Sequence, residues 1–295
     1  MSRRPVPAGR ALAAIATAAL AAACASSGGT SASSSPLSPS SASTPLSPSS
    51  PLSSSTAPAP SSAPAPAATG SVSGTVTVFA AASLTKAFTV LGERFHAAHP
   101  AATVRFSFGA SSALAQQVIA GAPADVFASA STKNMTQVTA AGDAVNPRTF
   151  ATNVAEIAVA PASSGRVRSL ADLAAPGVKV ALCQPQVPCG ALAQKILAKA
   201  GVRVRPVTQG LDVKSTLAYV TSGEVDAAVV YVTDVRAAGT AVRGVPIPAA
   251  DNASTAYPIA TVKGSRQPAG AAAFEALVLS PEGQAVLATA GFRTP

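Results

Sequence analysis

From residue 75 to the C-terminus, short β-branched and aromatic runs alternate with longer stretches of helical periodicity. That alternation leaves few architectures open: strands joined by helical crossovers, with the helices packed on the faces of a sheet. The first unit sets the pattern. Val76, Val78 and Phe79 read as a buried strand, Ala80 to Ala82 end it, and after Ser83 a helix carries Leu84, Phe88, Leu91 and Phe95 on one face. A helix that starts this way leaves its first N–H groups uncovered, and with the helix dipole they suit an anion. The competing reading makes Ser83 an N-cap, its oxygen folded back on those same N–H groups.

The pattern predicts further strands over residues 103–108, 124–127, 152–159, 179–182, 202–207, 226–232 and 257–262. Helices are expected over 83–98, from Ser111 onward, and over 132–141, 190–200, 213–222, 268–279 and 281–290. Two similar α/β sets follow one another, and the C-terminal piece lacks a complete partner. The economical solution returns residues 253–295 to the first set. Lobe 1 is then 71–158 with 253–295, lobe 2 is 159–252, and two crossings join them. Ligands of open α/β lobes sit beyond the carboxyl ends of the strands, and a cleft between lobes is a favoured place. Four strand-to-helix turns qualify, beginning at Ser83, Ser111, Cys189 and Val213. None has a cation at its first position, and Lys86 and Lys214, inside the helices, read as solvated. Neutral donors without a cation fit a small dianion.

The N-terminal region has a different character. Arg3, Arg4 and Arg10 precede an apolar run, residues 11–23, that ends at Cys24. This reads as a secretory signal over residues 1–24, too short for a membrane-spanning helix. AAAC is a candidate lipobox that would anchor Cys24 to the outer face of the membrane. Its favoured leucine position holds Ala21, so cleavage nearby with release is the alternative. Residues 25–70 carry no charge and consist mostly of Ser, Pro, Ala, Thr and Gly, the composition of a disordered tether. Extended, it would reach on the order of 140 Å.

All 12 acidic residues lie beyond residue 70 and three of the 21 basic ones lie in the signal, so the remainder carries +6. No basic stripe with interleaved aromatics is present and tryptophan is absent, which excludes a nucleic-acid partner. With Cys24 assigned to the anchor, Cys183 and Cys189 remain as a pair in an oxidising compartment and read as a disulfide. Such a short loop stabilises by roughly 2 kcal/mol. Two free thiols at metal-ligand spacing is the rival reading, and it lacks further Cys or His nearby. With only His96 and His99, a histidine-rich metal site is excluded, and no cofactor is expected.

Five segments, VFAAASLTKAF, SFGASSALAQQVIAGAPADVFASA, the VPCG turn, LDVKSTLAYVTSGEVDAAVVYVTD and AYPIATVKG, together resemble the molybdate-binding proteins of ABC transporters, across the whole globular part of the chain. The resemblance implies the two-lobed type II periplasmic binding-protein fold, each lobe a mixed sheet flanked by helices, with the ligand between the lobes. It implies molybdate or tungstate as ligand, an ABC permease as partner, and a monomer with no enzymatic activity. It also implies the donor set: the hydroxyl and N–H of Ser83 and of Ser111, the N–H groups of Cys189 and Val213, and the Tyr231 hydroxyl. Cys189 stands where a small residue such as alanine is usual, DVKS replaces a DVRGA-like run, and Ser112 is an alternative to Ser111.

Plainer readings stand beside these. Ser111 would merely cap its helix, and Tyr231 would be a core aromatic bonded to a backbone carbonyl. Asp125, Asp212 and Asp234 read as structural caps. Sulfate or another oxyanion would replace molybdate as cargo. A secreted serine hydrolase needs a base, yet His96 and His99 lie about 20 Å from Ser83 along its helix, and no G-x-S-x-G elbow is present.

Overall fold

A computed structural model describes residues 72–295; the signal, Cys24 and the tether lie outside the described residues. β1 (Gly74–Ala81) runs parallel to β2 (Ala102–Gly109) on one side and β3 (Val126–Ala128) on the other. β9 (Ser254–Val262) lies antiparallel to β3. The 16-residue β4 (Ala144–Val159) pairs with β9 along its first two thirds, then with β7 (Ala227–Tyr231) and β8 (Arg243–Pro246) on its two sides. β5 (Val180–Cys183) runs parallel to β7 and to β6 (Thr208–Gly210). The order is therefore β2-β1-β3-β9-β4-β7-β5-β6, with β8 beside β4. β4 is common to both halves of the sheet.

The helices are α1 (Thr85–Ala98), entered through a 3₁₀ turn Ala82–Leu84, then α2 (Ser111–Ile119), α3 (Thr132–Ala140) and α4 (Pro188–Lys199). α5 (Val213–Thr221), α6 (Val232–Ala238), α7 (Pro268–Leu279) and α8 (Pro281–Ala290) complete the set. On one face of the β1–β3–β9 sheet, Phe88, Leu91 and Phe95 of α1 pack with Phe150, Tyr257, Phe274 and Phe292. Phe79 and Phe127 pack on the other face with Leu114, Val118, Met135 and Val138. A third cluster joins Ile157, Val180, Val229 and Val230 to Ile196 of α4 and Leu217 of α5.

Four elements depart from the expected pattern, the unexpected β8 among them. The strand expected from residue 152 begins at Ala144, and Asn146-Pro147 forms an irregularity within it. Asn146 has φ +48° and the pairing register shifts between Val145 and Arg148, so one strand passes through a bulge. Residues 202–207 are not a strand. Val202 and Val204 only lean on the core, Pro206 has no N–H to give, and the ladder starts once the Val207 N–H reaches the Val180 carbonyl at 2.9 Å. α6 was hidden in the apolar run that ends β7.

Candidate functional site

Each helix start follows the carboxyl end of a parallel strand: Ser83 after β1, Ser111 after β2, Cys189 after β5 and Val213 after β6. No side chain caps the 3₁₀ turn, α2 or α4, so their first N–H groups keep their donor capacity. α5 is different. Asp212 accepts from the Ser215 N–H at 2.8 Å and Ser215 Oγ accepts from the Asp212 N–H at 3.0 Å, a capping box that covers the third N–H and leaves that of Val213. Asp212 is thus a cap, as its position before the helix predicts.

Neither serine behaves as the cap that the plainer reading made it. Ser83 is the middle residue of the 3₁₀ turn, and its hydroxyl lies 2.9 Å from the Tyr257 hydroxyl. Ser111 is the first residue of α2 and is buried; its Oγ accepts from the Ala130 N–H at 2.9 Å. With that lone pair used, the Ser111 proton is free for another acceptor. Tyr231 ends β7, fully buried, and its hydroxyl makes no hydrogen bond of good geometry. The expected backbone carbonyl is not there. Its ring meets Tyr257 edge to face with centroids 6.2 Å apart.

Ser83, Ser111, Cys189, Val213 and Tyr231 all line one cavity of about 20 Å³, together with Ala81, Ala82, Gly109, Ala110, Ala130, Val187, Pro188 and Asp212, whose carboxylate is engaged by the Ser215 N–H. That is far below the ~300 Å³ at which organic-ligand pockets begin, which suits a small inorganic group. Lys, Arg and His are absent from its lining. A disulfide joins Cys183 at the end of β5 to Cys189 in the first turn of α4, which disposes of the metal-thiolate reading. The Cys183 sulfur also accepts from Thr216 Oγ1, tying the loop to α5.

Behind the cavity lies an ion pair that the sequence reading missed. Lys214, expected to be solvated, places Nζ 3.0 Å from Asp234 Oδ1, and Asp234 is fully buried. Asp234 Oδ2 accepts from the Tyr231 N–H at 3.3 Å. Burial raises the Asp234 carboxyl above its ordinary range, while the Lys214 charge and the Tyr231 N–H oppose that rise. Burial likewise raises the Tyr231 phenol well above its ordinary value, so it stays a neutral O–H donor. Tyr257, Asn153 and Thr233, also buried, were not singled out either; a polar side chain within the apolar run of β4 was the one available signal for Asn153.

Other predicted positions lie elsewhere. Asp125 accepts from the Thr77, Arg266 and Gln267 N–H groups and from Ser265 Oγ, a structural clamp. His96 Nδ1 pairs with the Ala102 carbonyl and the His99 ring packs on Phe95, both at the end of α1 away from Ser83. Near the amino end of β1 a cleft of about 570 Å³ carries Arg105, Lys263 and Arg266 together with Asp125 and Asp143.

Helix starts gathered at strand ends around one small cavity fit a solute-binding architecture, and sequence comparison gives the class. Residues 76–293 match the bacterial extracellular solute-binding proteins, and the chain belongs to that family. It is therefore an extracytoplasmic protein, and no helix among the described residues is long and apolar enough to cross a membrane. More particularly, it is 43% identical over 222 residues to the Molybdate-binding protein ModA of Mycobacterium tuberculosis, covering 75% of this chain and 85% of that protein. The periplasmic molybdate-binding protein of Azotobacter vinelandii has the same fold, with TM-score 0.67 and 23% identity over 75% of this chain and 99% of that one. So has the sulfate-binding protein SubI of M. tuberculosis, with TM-score 0.64 and 21% identity over 75% and 86%.

Proposed function

We propose that this protein captures molybdate, and tungstate as well, between its lobes and delivers it to an ABC importer in the membrane. The observation that carries this reading is the convergence of Ser83, Ser111, Cys189, Val213 and Tyr231 on one cavity without a cation, in a chain 43% identical to a molybdate-binding protein. Two serine hydroxyls, a phenol and the N–H groups of the helix starts supply donors. Each helix start adds roughly 0.3–2 kcal/mol of dipole attraction, and each hydrogen bond to the charged oxygens about 1.5–3 kcal/mol. A sum of that order offsets the removal of water from a small dianion.

Every protein group in this reading binds; none reacts. The protein is a carrier and not an enzyme, works as a monomer without a cofactor, and is anchored through a lipidated Cys24. Sulfate has the same charge and shape with shorter bonds, so cavity size is what discriminates against it. Calorimetric titration of the purified protein tests the reading. Molybdate and tungstate should each saturate one site, and a hundredfold excess of sulfate should leave molybdate bound. Displacement by that excess overturns the assignment.

A further inference from the structure

The polar side chains behind Ser83 form a directed chain. Asn153 Oδ1 accepts from the Val154 N–H at 3.0 Å, which fixes the amide orientation. Its Nδ2 then faces Thr233 Oγ1 at 2.9 Å and the Tyr257 hydroxyl at 3.4 Å. An amide nitrogen only donates, so the Tyr257 oxygen acts there as an acceptor. Ser83 Oγ lies 2.9 Å from that hydroxyl, and the arrangement that turns a serine hydrogen toward the cavity is the one in which Tyr257 donates to Ser83. Once Ser83 accepts the Tyr257 proton, its own hydroxyl hydrogen is free for the cavity. Ser83, Asn153, Thr233 and Tyr257 are all buried, so water does not compete for these bonds. Burial raises the Tyr257 phenol far above its ordinary value, and its proton stays in place at any working pH.

We propose that Tyr257, itself held by Asn153, is a positioning residue that fixes the Ser83 hydroxyl as a donor into the cavity; this rests on the oxyanion reading above. A freely rotating serine serves a bare oxyanion as donor and a protonated one as acceptor. A serine whose lone pair is already engaged favours the bare form. Tyr257 therefore adds selectivity against hydrogen phosphate as well as affinity, and the same logic operates at Ser111 through the Ala130 N–H.

A double-mutant cycle tests the assignment. Tyr257→Phe keeps the ring against Phe150, Tyr231 and Phe292 and removes only the hydroxyl. Molybdate binding is measured by calorimetry for wild type, Tyr257→Phe, Ser83→Ala and the double variant, with phosphate titrated in parallel. Tyr257→Phe should weaken molybdate binding roughly tenfold and narrow the gap between molybdate and phosphate. The double variant should bind no more weakly than Ser83→Ala, because Tyr257 acts through Ser83. Wild-type affinity in Tyr257→Phe overturns the assignment, and so does a loss repeated in full in the Ser83→Ala background. Should Tyr257→Phe not fold, Asn153→Ala takes its place in the cycle with the same expectations. A wild-type protein that binds no molybdate overturns the oxyanion reading itself, a result distinct from a wild type that binds and a cycle without coupling.

Discussion

Asp234 poses the sharpest problem at the scale of single residues: a fully buried carboxylate beside a site proposed for a dianion. Lys214 resolves it. The lysine lies next to Val213 in the first turn of α5, and its charge offsets that of Asp234 while the carboxylate holds the Tyr231 N–H. Removing one partner of such a pair leaves an uncompensated buried charge, although Lys214 is a third exposed and water screens part of the interaction. Lys214→Met should therefore lower stability by about 1–3 kcal/mol at pH 7. The variant also loses an influence that lowers the Asp234 pKa, so the folded-state value moves further above the unfolded one. A carboxyl with a raised folded pKa costs stability as pH rises through that value and returns it as pH falls toward the unfolded value. Urea unfolding at pH 7 and pH 5 should thus show the deficit shrinking on acidification, and an unchanged deficit would speak against the pairing. Helical periodicity alone gave no sign of this pair, since Asp234 is 20 residues away on another helix.

Elements set the position of the donors, and two glycines control the fit. A Cβ on Gly190 would lie 1.9 Å from the Gln184 carbonyl oxygen and 2.8 Å from that of Cys183; one on Gly210 would lie 2.1 Å from Thr216 Oγ1. The first turn of α4 is thus pressed against the backbone that leaves β5. Gly190→Ala must push it away, carrying the Cys189 N–H with it. The Cys183→Ala/Cys189→Ala double variant keeps that N–H in a helix start and loses roughly 2 kcal/mol of loop constraint. Gly190→Ala should weaken molybdate binding by more than tenfold, and the double cysteine variant by only a few-fold. The opposite order, measured by calorimetry, would make the disulfide and not the close approach the determinant. Strand-to-helix turns were readable from sequence because small residues and a change of period coincide there. The first part of β4 and the coil at 202–207 were not, since the Asn146-Pro147 bulge imitates a turn and the alternating valines before Pro206 imitate a strand. In both places the pairing partner decides, and it lies far along the chain.

At the scale of the whole molecule, the sheet explains why the helix starts meet. β1 and β2 send their carboxyl ends into the cavity from one half of the sheet, β5, β6 and β7 from the other, and β4 passes between the halves. Ser83 and Ser111 thus face Cys189, Val213 and Tyr231 from opposite sides. The alternation of strands and helices was enough to place those turns at strand ends, but the closeness of the two halves rests on pairings that no local pattern encodes. The cleft with Arg105, Lys263 and Arg266 is the natural competitor for an anion, since it is roomier and cationic. Anomalous X-ray scattering from crystals grown with molybdate separates the two directly. One molybdenum peak should stand in the cavity bounded by Ser83, Ser111, Cys189, Val213 and Tyr231. A peak in the cationic cleft, with the small cavity empty, would contradict capture by neutral donors.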